Sequence, residues 1–188
     1  MSQLKNTRDI VLLIEKDPWM MDILRAVKSL GLPDWWIGAG FVRNKVWDHL
    51  NAYKHRTPLG DIDVIYFDRE NTNEQKEKEL EKKLKEIASN LPWSVKNQAR
   101  MHLVNSCEAY QSSTDALSKW PETATSIAIK LDERNKIITN FPHGIADLIN
   151  LRVRPTPNFM SKKEIYENRL RKKDWPSKWP TLDIFHFE

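Results

Sequence analysis

Two aspartates separated by a single residue open the most strand-like segment of the sequence. Asp61 and Asp63 lead into residues 62–67, which are rich in β-branched and aromatic side chains. Side chains at positions i and i+2 of a strand point to the same face, about 7 Å apart along the strand, so two carboxylates here can converge on one site. Magnesium takes oxygen ligands from carboxylates and substrate phosphates, and two Mg²⁺ ions about 4 Å apart suit this separation. The pattern therefore predicts a metal site, although two solvated aspartates are also common where a strand begins.

A glycine-containing turn that precedes these acids is suited to binding phosphate. Residues 35–37 are a short apolar run typical of a buried strand, and helical apolar spacing follows from residue 41. Gly38 and Gly40 stand between the two elements, where free N–H groups of a helix N-terminus bind phosphate and glycine permits close approach. Arg43 lies one turn into the helix and could add charge-assisted hydrogen bonds to a triphosphate. The simpler alternative is a tight strand-to-helix turn. A dinucleotide-binding fingerprint is excluded because its third glycine is missing, and no Walker loop is present.

Apolar spacing and turn residues predict the elements that must position these side chains. Residues 1–31 predict a helical pair, in which Asp17 caps the second helix and Pro18 takes its first position. Residues 35–140 predict a sheet core containing the site, with strands at 35–37, 62–67, 93–99, 123–131 and 136–139 and helices at 41–50 and 71–89. Residues 141–188 predict a helical C-terminal extension. This order indicates an α+β or α/β sheet, and we predict one α+β domain over residues 1–188, a mixed β-sheet flanked by helices.

Three of these segments carry further expectations. The first half of helix 71–89 is polar all round, so it is expected to be exposed and to fray. Lys96 in the third strand and Arg100 just beyond it could each face the cleft. Thr123 and Thr125 would share one face of the fourth strand, either as a hydroxyl ledge beside a nucleotide or as simple packing.

Composition excludes several classes of protein. A chain of 188 residues with 40% hydrophobic and 30% charged residues fits one globular domain. Cys107 is the only cysteine, so no intrachain disulfide can form and a reducing compartment is expected. No apolar run approaches about 18 residues and no signal pattern opens the chain, so we expect a cytoplasmic protein without a membrane span. The net charge of +4 favours polyanionic partners only mildly. The basic run at residues 169–173 fits a solvated helix face, with phosphate or RNA contact as the alternative.

Several segments together resemble a known family. The succession of strand, Gly-x-Gly, helix, loop and Asp-x-Asp strand is similar to the DNA polymerase β-type nucleotidyltransferase superfamily. More specifically, residues 36–44, 60–64, 95–102 and 120–125, with 144–148 and 153–155, resemble a bacterial family of nucleotidyltransferase-like proteins. The resemblance covers nearly the whole chain from about residue 35 onward.

The resemblance implies a polymerase β-like fold and metal-dependent transfer of a nucleoside monophosphate from an NTP to an acceptor. Asp61 and Asp63 would hold Mg²⁺, in a two-metal site that Mn²⁺ could also occupy. Gly38 and Gly40 would cradle the triphosphate, and we add Arg43 and Lys96 to the predicted nucleotide-binding set. The superfamily usually has a third carboxylate on a neighbouring strand, but residues 93–99 contain no acid; Glu108 or Glu122 could replace it, although their spacing does not indicate this. Without that acid, deprotonation of the acceptor hydroxyl would be weak.

Three functions therefore compete. The first is an active nucleotidyltransferase, and the second is a module of the same fold that binds nucleotide or RNA without turnover. The third is a structural protein in which the aspartates only begin a strand. The sequence does not choose among RNA, a protein side chain and a small molecule as acceptor, and it does not specify an oligomeric state.

Overall fold

A computed structural model describes residues 4–188. The helices are α1 (Thr7–Glu15), α2 (Pro18–Lys28), α3 (Gly40–Leu50), α4 (Glu74–Ile87), α5 (Gln98–Asn105), α6 (Ser113–Ser118), α7 (Ala146–Ile149), α8 (Lys163–Lys173) and α9 (Trp175–Lys178). The strands are β1 (Trp36–Gly38), β2 (Ile62–Tyr66), β3 (Trp93–Asn97), β4 (Ala128–Leu131), β5 (Ile137–Asn140), β6 (Arg152–Val153) and β7 (Asp183–Ile184). Among residues 4–188, no helix is long and apolar enough to cross a membrane.

The sheet core is mixed and five-stranded, in the order β3-β2-β1-β4-β5. Strands β2 and β3 are parallel, whereas β1 is antiparallel to both β2 and β4. One face carries Ile37, Val64 and Val95 and packs into the main core with helices α1 to α4. The opposite face carries Trp36 and Ile65 and is covered by a smaller cluster that includes Leu117 of α6. The predicted α+β fold with a mixed sheet is therefore confirmed.

The N-terminal helical pair also forms as predicted. The side chain of Asp17 accepts a hydrogen bond of 3.3 Å from the Met20 N–H, and Pro18 is the first residue of α2. Proline is favoured there because its missing N–H would have no partner inside the helix. Local sequence rules are therefore sufficient to predict helices α1 and α2.

The fourth predicted strand is too long. Residues 123–127 are not extended, because the N–H groups of Thr125 and Ser126 both bond to the carbonyl of Glu122 and form a helical turn. The third predicted strand is also too long, since it ends at Asn97. The Asn97 side chain accepts the Ala99 N–H and caps α5, a helix that apolar spacing did not predict.

The first half of α4 is not the exposed, fraying segment that its polarity predicts, because Glu77 has no exposed surface. Strand β3 is the edge of the sheet, and two glutamates of α4 accept its outward N–H groups. Glu81 bonds to Val95 at 3.0 Å and Glu77 bonds to Asn97 at 2.8 Å. Glu77 and Glu81 are four helical residues apart, a rise of about 6 Å, and Val95 and Asn97 are two strand residues apart, about 6.6 Å. The two glutamates are therefore spaced to meet the two N–H groups. Helix α4 thereby protects the sheet edge from pairing with another chain.

Arg100 compensates the buried charge of Glu77, and Arg100→Met is expected to destabilise the fold by about 3 kcal/mol at pH 7. The guanidinium of Arg100 donates to both carboxylate oxygens of Glu77, from Nε and Nη2, each at 2.8 Å. Removing one partner of a buried ion pair leaves the other charge buried without compensation. Hydrogen bonds from Arg100 and from the Asn97 N–H hold the pKa of Glu77 below its ordinary value despite burial, which acts the other way. Stability from a lowered carboxylate pKa is present at neutral pH and is lost as pH falls through the folded value.

The loss caused by Arg100→Met should therefore shrink between pH 7 and pH 3, as measured by urea denaturation. Arg25→Met is a suitable control, because Arg25 pairs with Asp22 on an exposed helix face and such pairs contribute about 0–1 kcal/mol. A loss for Arg100→Met that is equally small, or that does not depend on pH, would contradict the proposed role of Glu77.

Candidate active site

The turn from β1 into α3 has a strained backbone and an uncapped helix start. Ala39 has φ 51° and ψ −123°, a conformation that costs a residue with a side chain about 1–3 kcal/mol. Its N–H bonds to the Ile127 carbonyl at 3.0 Å, which fixes the turn. Side chains cap α1, α2, α4 and α5, but no side chain caps α3. The first N–H groups of α3, those of Gly40 and Phe41, therefore lack an intrahelical or capping acceptor and favour an anion.

The two glycines of this turn have different surroundings. A Cβ on Gly38 would lie 3.2 Å from the Trp120 ring and 3.1 Å from the Ile127 carbonyl oxygen, so this glycine is needed for packing. A Cβ on Gly40 would make only ordinary contacts, the nearest at 3.5 Å from Arg43 Nη2. Gly40 is the first residue of α3, and phosphate binding by either glycine stays a prediction.

Arg43 is buried beside this helix start and already has partners. It donates from Nη1 to Thr125 Oγ1 at 3.0 Å and from Nη2 to Asn44 Oδ1 at 2.9 Å. Its guanidinium also lies over two indole rings, 5.1 Å from the centre of Trp47 and 4.7 Å from that of Trp175. Burial lowers the pKa of Arg43 to about 10, so it remains charged at neutral pH. Arg43 supplies a fixed positive charge next to the site, and only its buried Nε has no partner among residues 4–188.

Asp61 and Asp63 lie at the beginning of β2, and Asp63 is directed to the smaller-cluster face of the sheet. Asp63 is partly buried. Burial, and then the charge of Asp61, raise its pKa to about 6, while Lys173, Arg43 and Arg169 act in the opposite direction. Two carboxylates that repel each other in a partly buried place favour a bound cation. Their hard oxygen donors fit Mg²⁺ or Mn²⁺.

Without metal, Asp63→Asn is expected to stabilise the fold above pH 6. The folded-state pKa of about 6 exceeds the ordinary value of 3.8, so the folded protein binds the extra proton between those values and loses stability as pH rises through them. Removing the charge should recover on the order of 2 kcal/mol at pH 8 and almost nothing at pH 4. Thermal unfolding in EDTA checks this, with the exposed Asp22→Asn as control. An equal effect at both pH values would contradict it.

A third carboxylate is not brought to this pair. Within residues 4–188, no group of three or more His, Cys, Asp or Glu side chains is placed to hold a metal ion. The β3 residue beside Asp63 is Ser94. Of the two predicted substitutes, Glu108 is exposed, and the buried Glu122 is paired with Arg169.

Lys96 has the same strand parity as Asp63, but its ammonium group points elsewhere. It lies 3.3 Å from Glu77 and 4.0 Å from Glu81, on the α4 side of β3, whereas β2 is on the other side. The structure thus does not bring Lys96 to the aspartates, and its nucleotide-binding role stays a prediction.

Thr123 and Thr125 do not share a strand face as predicted, because they lie in a turn and not on a strand. Thr125 accepts from Arg43, and Thr123 donates to Asp147 at 2.7 Å. Both hydroxyls are used inside the protein.

The site contains two cations for which the sequence pattern favoured a solvated surface. Arg169 and Lys173 act electrostatically on Asp63. A signal for them was present in the sequence. Tyr166 and Leu170 are the buried positions of α8, so residues 169 and 173 fall on the same inward stripe at helical spacing. Arg171 and Lys172 are exposed, as expected for the solvated face.

Comparisons with known proteins place this arrangement in context. A structure solved by NMR and described as a CCA-adding enzyme head domain is 38% identical, with a TM-score of 0.87 and 98% of each chain covered. The Thermotoga maritima CCA-adding enzyme complexed with tRNA has 15% identity and a TM-score of 0.57. A CCA-adding enzyme in complex with ATP has 16% identity and a TM-score of 0.54. This chain covers only 44% of each of those two longer chains, and at such identities the likeness shows the fold alone.

Family membership rests on the sequence as well as on the fold. No protein with a curated description matches the chain. The family model described as nucleotidyltransferase matches residues 25–184, which include β1 to β7. The resemblance to polymerase β-type nucleotidyltransferases is confirmed at the level of family and fold. This chain belongs to the nucleotidyltransferase family.

Proposed function

We propose that this protein transfers a nucleoside monophosphate from an NTP to an acceptor with a divalent metal. The observation that carries the proposal is the pairing of Asp61 and Asp63, whose charges act on Arg43 in the first turn of the uncapped helix α3. The carboxylates suit a cation, and the free N–H groups suit a phosphate. A metal–triphosphate complex supplies both partners at once.

Asp61 and Asp63 would hold Mg²⁺ or Mn²⁺, with NTP oxygens and water completing the coordination. The metal would neutralise charge on the attacking and leaving oxygens. The N–H groups of Gly40 and Phe41 would orient the triphosphate, and the buried charge of Arg43 would favour its entry. The acceptor hydroxyl oxygen would then bond to the α-phosphorus and lose its proton to solvent, while the bond from the α-phosphorus to the bridging oxygen breaks and pyrophosphate leaves.

A nucleotide-binding module with little turnover is the second candidate. It is favoured by the missing third carboxylate, since no group of three metal-binding side chains is found within residues 4–188. The acceptor proton would then pass to solvent, and transfer would be slow. An RNA 3′ end is the first acceptor to test, because one structure with this fold was solved with tRNA. A protein side chain and a small molecule remain the alternatives.

We also propose that residues 141–188 belong to the same domain as the sheet core. Trp175 and Trp179 of this extension pack edge-on against Trp47 of α3, with ring centres 5.9 and 5.1 Å apart. Tyr53 donates to the Lys178 carbonyl across the same contact. The extension therefore touches the helix that begins at the site.

Pyrophosphate release measured with each NTP and either Mg²⁺ or Mn²⁺ tests the proposal, with short RNAs, a polypeptide mixture and small alcohols as acceptors. Calorimetry under the same conditions separates the candidates. Release that requires metal supports the transferase, whereas metal-dependent NTP binding without release supports the module. Neither release nor binding would refute both and leave the aspartates as strand-entry residues.

A further inference from the structure

The inward face of α8 carries two basic side chains as well as two that pack. Tyr166 and Leu170 are buried, and the Tyr166 hydroxyl bonds to the Val153 and Phe185 carbonyls at 3.2 Å each. Arg169 and Lys173 share this face, since they continue the spacing i, i+3, i+4, i+7 from residue 166. The packing of α8 therefore fixes where these two cations lie.

A buried carboxylate holds Arg169 in place. Glu122 has no exposed surface, and its Oε1 accepts from Arg169 Nε at 2.5 Å. The second oxygen of Glu122, Oε2, is buried without a hydrogen-bond partner among residues 4–188. Arg169 bonds to Glu122 through Nε alone within that part of the chain, and its side chain is 30% exposed. The terminal nitrogens of Arg169 are thus available to a ligand.

A chain of contacts connects this pair to the start of α3. The carbonyl of Glu122 accepts the N–H of Thr125, and the Thr125 hydroxyl accepts from Arg43. Arg43 Nη2 in turn lies next to Gly40. Lys173 lies one helical turn after Arg169 on the same face of α8, and the charges of both residues lower the pKa of Asp63. The α8 cations therefore belong to the same site as the aspartates and the uncapped helix.

The charges of this site are arranged for a polyanion that arrives with a metal. Arg43, Arg169 and Lys173 lie within electrostatic reach of Asp63, and Glu122 pairs with Arg169. Arg43 is buried and bonded, and Glu122 is buried beneath Arg169, so the accessible cations are those of α8. Lys173 is partly exposed and makes no ion pair within residues 4–188. Arginine and lysine together are suited to phosphate oxygens, arginine by its fork and lysine as a point charge.

Resting on the proposed function, we propose that Arg169 and Lys173 of α8 bind the triphosphate of the incoming NTP and that Glu122 positions Arg169 for this contact. The C-terminal extension then contributes directly to substrate binding. Glu122 is a positioning residue, because its carboxylate reaches the substrate only through Arg169.

The test uses the full chain and compares Arg169→Gln and Lys173→Gln with Arg171→Gln and Lys172→Gln, which lie on the exposed face of the same helix. Calorimetry with Mg²⁺-ATP and with tripolyphosphate should show affinity losses of about tenfold or more for the first two variants, as expected for a charge-assisted bond. Adenosine affinity should not change. The two control variants should stay within about twofold, since exposed charges act weakly.

Positioning by Glu122 is tested by a double-mutant cycle. Glu122→Gln should weaken tripolyphosphate binding in the wild-type background but not in the Arg169→Gln background, and it should raise KM more than it lowers kcat. Equal losses in both backgrounds would show a merely structural role. If Glu122→Gln does not fold, the Arg169 and Lys173 variants still decide the binding proposal.

Unchanged tripolyphosphate affinity in both Arg169→Gln and Lys173→Gln would overturn the inference. That outcome differs from failure of the proposed function. The transferase proposal fails if the wild type releases no pyrophosphate, whereas the α8 contact fails only if the affinity for tripolyphosphate does not depend on α8.

Discussion

Asp63→Asn is expected to lower pyrophosphate release by about a thousandfold or more, and Asp61→Asn to have an effect of similar size. A catalytic metal contributes several kcal/mol of transition-state stabilisation, and about 4 kcal/mol corresponds to a factor of a thousand in rate. Neither variant should unfold the protein, because a neutral amide at either position would relieve the repulsion that raises the pKa of Asp63. The measurement is the initial rate of pyrophosphate release with saturating Mg²⁺-NTP.

Asp68→Asn is the matched control for this prediction. Asp68 follows the other end of β2, where its carboxylate accepts the N–H groups of Glu70 and Asn71 at 2.9 and 3.3 Å. An asparagine can accept the same bonds, so its rate should stay within about twofold of wild type. If Asp68→Asn and Asp63→Asn lower the rate equally, the effect comes from disturbing β2 and the metal assignment is wrong.

The affinity of Asp63→Asn for Mg²⁺-NTP separates two explanations of a slow rate in this variant. If Asp63→Asn loses Mg²⁺-NTP affinity along with activity, the metal is needed to hold the substrate in the ground state. If affinity for Mg²⁺-NTP persists while the rate falls, the aspartates act mainly in the transition state. Retained affinity is the expected outcome if Arg169 and Lys173 hold the triphosphate independently of Asp63.

The parts of the site that could be predicted from sequence are those fixed by neighbouring residues. Asp61 and Asp63 begin a β-branched run, and Gly40 follows a short apolar strand, so local spacing is enough to place them. The cap of α2 by Asp17 is of the same kind. Each of these features depends on residues within about one helical turn or one strand pair.

Contacts between distant parts of the chain could not be predicted in this way. The sequence shows Glu77 as one of many polar residues in α4, and its burial is explained by the Asn97 N–H of β3 and by Arg100. Glu122 and Arg169 are 47 residues apart in sequence, and neither shows its partner locally. The helical spacing of Tyr166 and Leu170 did indicate which face of α8 is turned inward. That spacing could not predict the surface against which α8 packs.

Trp179→Ala is expected to destabilise the fold by about 3–5 kcal/mol, the range for removing a buried aromatic side chain. Trp179 is 1% exposed, and its ring meets Trp47 edge-on at 5.1 Å. Its indole Nε1 also donates to Asp48 Oδ1 at 2.8 Å. The variant loses the packing and removes one donor from a buried carboxylate, so the two costs act together. Urea denaturation at 25 °C measures the change.

Trp179→Phe and Phe185→Ala give the comparison. The phenylalanine keeps most of the ring contact but not the hydrogen bond, so it should lose about 1–3 kcal/mol. Phe185 is 40% exposed, and its removal should lose less than about 1.5 kcal/mol. If Trp179→Ala does not fold, a clear loss for Trp179→Phe still supports the contact. A loss below about 1 kcal/mol for Trp179→Ala would show that the extension is not part of the core.

The effect of Trp179→Ala should also reach the candidate active site, because the Asp48 carboxylate bonds to two segments of the chain. Its carboxylate accepts the N–H of Thr57 at 2.8 Å and the hydroxyl of Thr57 at 2.6 Å. Thr57 lies in the loop that leads to Asp61. Loss of the indole N–H would loosen the Asp48 carboxylate and with it this loop, so Mg²⁺-NTP affinity should fall more in Trp179→Ala than in the similarly folded Phe185→Ala. The C-terminal extension would thereby support the site twice, through the cations of α8 and through the loop that places the first aspartate.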